Sequence, residues 1–145
     1  MTTEEKGVFS KDSVIVFVEQ ANDGTYWGTS QNIPGVVSAF GNSLEELKAN
    51  FNQAFLDYLE VARELGEPWL RDVEGLGNYL FKLNLQSFFR LVPEVKISAI
   101  AEKAGINASL LRQYATGKAN ASETRAKQIE KAVHQLGQEL LSVSL

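Results

Sequence analysis

The stretch Ile100–Lys118, "IAEKAGINASLLRQYATGK", reads as a helix that halts at Gly105, turns, and restarts as a second helix ending at Gly117. Two helices that cross steeply need a small residue where they touch and a turn residue that accepts positive φ. Ala101 and Gly105 meet those needs, with Ile100 and Ala104 one turn apart on the first helix. Ile106, Leu111 and Tyr114 then complete a shared apolar core from the second. Left outside on that second helix are Asn107, Ala108, Ser109, Arg112, Gln113 and Thr116, all small or hydrogen-bonding and none acidic. Side chains of these types pair with base edges in a major groove, so the pattern predicts a helix that reads DNA.

Helical periodicity extends to both sides of this pair. "LQSFFRLV" predicts a short helix stopped by Pro93, and "SETRAKQIEKAVHQLGQELLSV" a long terminal one. Ile129, Val133, Leu136 and Leu140 repeat at four-three-four spacing along the latter. Such a stripe either packs back onto the helical pair or closes against a second copy, and the spacing allows both. His134 lies off the stripe as a solvated helix residue, with no role assigned to it.

Ahead of Leu85 the pattern is different. "SVIVFVEQ" is short, β-branched and apolar on both faces from Val14 to Val18, which predicts a central strand. Asp23-Gly24 turns the chain into an antiparallel neighbour within "TYWGTSQNI", and Pro34-Gly35 turns it again into "VVSAF". Ser43 with Glu46 is a capping box, after which Leu44, Leu47, Phe51, Phe55, Tyr58, Ala62 and Leu65 mark one face of a long helix. Gly66 and Pro68 end it, and "NYLFKLNL" alternates Tyr79, Phe81, Leu83 and Leu85 as a fourth strand. The expected fold class is therefore α+β: a β-β-β-α-β domain over residues 1–85 and an all-α domain over residues 86–145. The segment 66–78, which contains Trp69, has no element assigned to it.

Charge divides at the same place. Residues 1–85 carry 6 Lys+Arg against 13 Asp+Glu, net -7, and residues 86–145 carry 8 against 5, net +3. A basic half can displace counterions from a polyanion, and an acidic half suits a basic protein partner. With Cys 0, disulfides and thiolate zinc sites are excluded. The polar start "MTTEEKGVFSKDS" lacks the apolar run of a leader, and no stretch is long and apolar enough to span a membrane, so a cytoplasmic protein is expected.

An enzyme is not expected. A two-metal nuclease would place a carboxylate within the first strand, and Val14 to Val18 holds none. Glu19 and Asp23 read as surface groups, Glu45 and Glu46 as helix-start residues, and no phosphate-cradling glycine loop or nucleophile-base spacing occurs. No catalytic residue, metal or cofactor is assigned.

The spacing of Ala101, Gly105 and Gly117 resembles the helix-turn-helix of the phage-repressor-like (Xre) family over about twenty residues. That resemblance implies base contacts from Asn107, Ser109, Arg112 and Gln113, and phosphate contacts from Lys118, Asn120, Lys96 and Ser98, with Thr116 counted among the DNA-binding residues on the same face. The front half, through "YWGTSQNIPGVVSAFGNSLEELKANFNQAF", is similar to the HicB antitoxins of bacterial toxin-antitoxin systems. The matching features are Tyr26, Trp27 and Gly28, the Ile33-Pro34-Gly35 turn, and the helix start at Ser43. It implies a reduced ribonuclease H-like domain without catalytic carboxylates. Such a protein binds and masks a small, basic, RNA-cleaving HicA-type toxin, and represses its own operon through operator DNA as a dimer or higher homo-oligomer. This chain's helical tail of about sixty residues departs from relatives that are shorter or end in a ribbon-helix-helix. A reading from another class is a solitary transcription regulator whose front domain binds a small ligand or only dimerises.

Overall fold

The computed structural model describes residues 12–145. The polar start "MTTEEKGVFSK" lies outside the described residues. Among the described residues, four strands and six helices make a mixed α+β chain that divides between Leu83 and Asn84 into two compact units. No helix among them is long and apolar enough to cross a membrane.

The first unit contains β1 (Ser13–Gln20), β2 (Tyr26–Ser30), β3 (Ser38–Gly41), α1 (Leu44–Leu65), α2 (Leu70–Glu74) and β4 (Asn78–Leu83). The strands lie in the order β3-β2-β1-β4, antiparallel except that β4 runs parallel to β1. Pleating sends alternate side chains to opposite faces. Val14, Val16 and Val18 are fully buried on the face that α1 covers with Leu47, Phe51 and Phe55. Each such side chain contributes about 1.5–3 kcal/mol by leaving water. Phe51 meets Tyr79 and Phe81 of β4 edge-on at 5.6 and 6.1 Å. Ile15 and Phe17, on the other face, are only partly covered, so β1 is central in order but sealed on one side alone.

Local chemistry accounts for the connections. Asp23 in the first turn accepts hydrogen bonds from the Thr25 hydroxyl and amide at 2.7 and 3.0 Å, and these bonds hold its carboxyl below the usual range. Beyond β2, the Asn32 side chain stands in for a strand. It accepts from the Ile15 amide at 2.8 Å and donates to the Ser13 carbonyl at 2.9 Å. Buried Ser30 accepts from the Val37 amide at 2.8 Å, which closes the loop. The third strand therefore starts at Ser38 rather than at Val36, which is exposed.

Ser43 caps α1 as expected, its hydroxyl accepting from the Glu46 amide at 3.0 Å, but the Glu46 carboxylate reaches Asn42 N–H at 3.1 Å. The helix start presses directly onto the strand end. A Cβ on Gly41 would stand 2.5 Å from the Leu47 amide nitrogen, so only glycine fits there. At the far end Leu65 is 70% exposed, a correction to its expected place in the buried stripe. One residue on, Gly66 turns left-handed and carries the chain away from the sheet. The segment after it forms α2, held by buried Val73, by Trp69 stacked on Tyr58 at 5.3 Å, and by an Arg63–Glu74 ion pair.

The second unit contains α3 (Leu85–Leu91), α4 (Ile97–Ala104), α5 (Ala108–Thr116) and α6 (Glu123–Leu141). Leu85 opens α3 instead of extending β4. The Asn84 side chain accepts from the Ser87 amide at 2.7 Å and starts a helix before the alternation can continue. That cap moves the boundary two residues ahead of the expected one. Phe89, Ile100, Ala101, Leu111, Tyr114, Ile129 and Ala132 form one core, with Val133 and Leu136 packed against it.

Candidate nucleic-acid interface

α4 ends because Gly105 adopts φ 74, ψ 31, a left-handed conformation that costs other residues about 1–2 kcal/mol. The Ile106 amide returns to the Ala101 carbonyl at 2.9 Å and the Gly105 amide to Glu102 at 3.1 Å, closing the paired bonds of a glycine-terminated helix. Asn107 then starts α5, its Oδ1 accepting from the Ser109 and Leu110 amides at 2.8 and 3.2 Å. Ala101, nearly fully buried, is the small contact between the two helices, and Leu111 and Tyr114 pin α5 to the core. This packing decides which side of α5 faces water.

Ser109, Arg112 and Gln113 are exposed on that side, and no described residue forms an ion pair with the Arg112 guanidinium. No acidic residue interrupts α5. Arg112 offers a planar fork of donors and Gln113 both a donor and an acceptor, the combination that suits purine edges. Asn107 and Thr116 are exposed but partly engaged. The Asn107 carbonyl oxygen caps the helix, leaving its amide to donate, and the Thr116 hydroxyl donates to the Arg112 carbonyl at 2.9 Å. Ala108, expected on the outside, is half-buried against the core, a correction that follows from its place at the start of the first turn, directly after the Asn107 cap.

The expected phosphate-side residues fall at helix boundaries. Lys118 and Asn120 are exposed just past Gly117, and Lys96 is exposed at the N-cap position of α4 without a capping bond from its side chain. Ser98 is half-buried in the first turn of α4. Ammonium groups at such positions neutralise phosphates without reading sequence.

The terminal stripe resolves differently from a free seam. Ile129 is fully buried, Val133 and Leu136 pack on the core, and only Leu140 stays exposed. Its first three members are thus used within one copy. A Lys103–Glu139 ion pair at 2.9 Å also ties α4 to α6.

One feature with functional potential carries no role in the sequence reading. On the uncovered face of the first unit's sheet, Trp27 and Phe40 stack at 4.9 Å, both largely exposed. Period-two alternation was the available signal: with Tyr26, Gly28 and Ser30 turned inward, Trp27 must point out. Comparison of the chain with protein-family models, with curated proteins and with solved structures finds no match.

Proposed function

We propose that this protein is an antitoxin and autorepressor: its helical unit reads operator DNA and its sheet unit holds a small basic toxin of the HicA type. The observation that carries the DNA half is the acid-free outer face of α5, with Ser109, Arg112 and Gln113 exposed above a core closed by Leu111 and Tyr114. In this reading α4, Gly105 and α5 form a helix-turn-helix, and Arg112 and Gln113 meet bases while Lys96 and Lys118 meet phosphates. The toxin half is supported by three antiparallel strands, a helix over one face and a returning β4 parallel to β1, which agrees with a reduced ribonuclease H-like domain although the short α2 adds a helix to the expected β-β-β-α-β order, and by the net charge of -7 carried by residues 1–85. An acidic surface speeds encounter with a basic partner and competes for the surface RNA would use.

Arg112→Ala tests the reading. Against the DNA upstream of its own gene, the variant is expected to lose about 1–3 kcal/mol of binding and to relax preference at one base pair. An equal loss on every sequence would make Arg112 a phosphate clamp, and no salt-sensitive binding by the unmodified protein would remove the DNA half. Co-expression with a neighbouring short, basic reading frame tests the other half by copurification and growth rescue.

A further inference from the structure

α1 covers one face of the four-stranded sheet, and on the other face Trp27 and Phe40 stand exposed. Pairing registers place the residues of this open face: Leu80 beside Ile15, Lys82 beside Phe17, and Glu19 beside Trp27, with Trp27 beside Phe40. An apolar diagonal therefore crosses all four strands, and its ends are wet, with Phe40 55%, Trp27 45% and Leu80 40% exposed. Solvent-facing aromatic area of this kind marks an interaction surface. Beside Trp27 the face dips into a shallow concavity of about 180 Å³, walled by Phe17, Trp27 and Thr29, with Glu19 its one charged group. No described residue forms a hydrogen bond or ion pair with the Glu19 carboxylate.

An aromatic wall beside a lone carboxylate is the chemistry that receives a guanidinium, which stacks flat on the indole while its donors reach the acid. We propose that this open face docks a basic protein partner, with an arginine of that partner seated between Trp27 and Glu19. The inference rests on reading the first unit as the holder of a basic protein, and it names the surface used. Charge selects this occupant over two others. A nucleic-acid strand stacking on the aromatics would bring phosphates to a unit of net charge -7, and a second copy would bring two such units together.

The test uses the full chain with Trp69→Phe, which leaves Trp27 as the only indole. The probe is a blocked peptide of alternating arginine and glycine, compared with lysine and citrulline counterparts. Trp27 fluorescence should respond saturably to the arginine peptide, with the lysine and citrulline forms weaker by about two- to fivefold or more. Glu19→Gln should weaken the arginine peptide by a similar factor and leave the circular dichroism unchanged. Equal binding of arginine and lysine peptides would show unspecific attraction to an acidic unit and overturn the proposal, as would the absence of a saturable response. A dimer of the full chain that Trp27→Asp dissociates would give the face to a second copy and overturn it too. If the neighbouring gene's product copurifies with Glu19→Lys as well as with the unmodified chain, the docking site fails while the antitoxin reading stands. If the peptide binds but no product copurifies, the reading fails and the site stands.

Discussion

Gly41→Ala is a substitution whose sign the structure decides. Gly41 lacks a positive φ, so alanine there meets no backbone penalty, and by shrinking the unfolded ensemble it would ordinarily stabilise by about 0.4–1 kcal/mol. Space argues the other way. The added carbon would lie 2.5 Å from the Leu47 amide nitrogen, 2.9 Å from the Glu46 carbonyl carbon and 3.0 Å from the Leu47 Cα, all backbone atoms. No rotamer change relieves such contacts, so the start of α1 must withdraw from β3 by roughly 1 Å, enough to forfeit a quarter to a half of each affected packing contact. Fully buried Leu47 and Phe51 ride on that turn. Overpacking of this kind costs about 1–3 kcal/mol, and with the loosened contacts the net loss should be about 2–4 kcal/mol. Urea unfolding followed by Trp27 fluorescence reports it, because Trp27 stacks on Phe40, the residue before Gly41. Gly77→Ala, in the same unit as the indole, is the control: nothing lies within 4 Å of its added carbon and it lacks a positive φ, so the smaller unfolded ensemble should stabilise it by about 0.4–1 kcal/mol. A Gly41→Ala protein as stable as the parent, or more so, would refute the close approach of α1 to β3.

At Gly105 the reverse holds: no atom crowds an added carbon, and the cost is conformational alone, about 1–2 kcal/mol for alanine and less for asparagine. Both indoles belong to the first unit, so amide exchange across α4 and α5 is the measurement, and equal protection in the two variants would deny the left-handed turn. The alkaline limb of stability should depend on Tyr58 and Tyr79, whose hydroxyls donate to the Pro34 carbonyl and Asn52 Oδ1, each at 2.6 Å. Burial raises both from the ordinary 10.0, with the Glu67 charge adding to Tyr58. A raised folded value means that their stabilisation is complete below the unfolded pKa near 10 and is lost as pH climbs through the folded one. Unfolding free energies taken from about pH 8 to about pH 11 should fall more steeply for the parent than for the Tyr58→Phe, Tyr79→Phe double variant.

Signals carried by neighbours in sequence were legible. Ser43, Gly66, Gly105 and Gly117 each act within one turn of helix, and each cap or stop stands where local chemistry puts it. Asn107 was read only as an exposed DNA-contacting residue, yet its oxygen caps α5 by accepting from the Ser109 amide, and under the DNA reading that duty limits what the oxygen would offer a base. What needed distant partners was not legible. Asn32 pairs with Ile15 and Ser13 across a loop, α2 exists because Trp69 finds Tyr58, and neither relation has a period to reveal it. The α6 stripe shows the limit most clearly: apolar spacing is the same for a helix packed on its own core and for one packed on a copy. Burial of Ile129 and Ala132 separates the two.

That outcome bears on how strongly the proposed DNA face can hold. The α5 side offers two exposed cations assigned to phosphates, Lys96 and Lys118, so one unit neutralises about two phosphates. Affinity then scales with salt to a power near -1.8, and raising salt from 50 to 200 mM should weaken binding about 12-fold. Two units bound together double the exponent and square that factor, to about 150-fold. With Ile129, Val133 and Leu136 committed inside one copy, pairing through α6 would have to use Leu140 and its exposed neighbour Leu141. Leu140→Ser with Leu141→Ser should then halve the salt exponent while Arg112 still discriminates bases. An unchanged exponent near twice the single-unit value would place the pairing surface off α6 altogether.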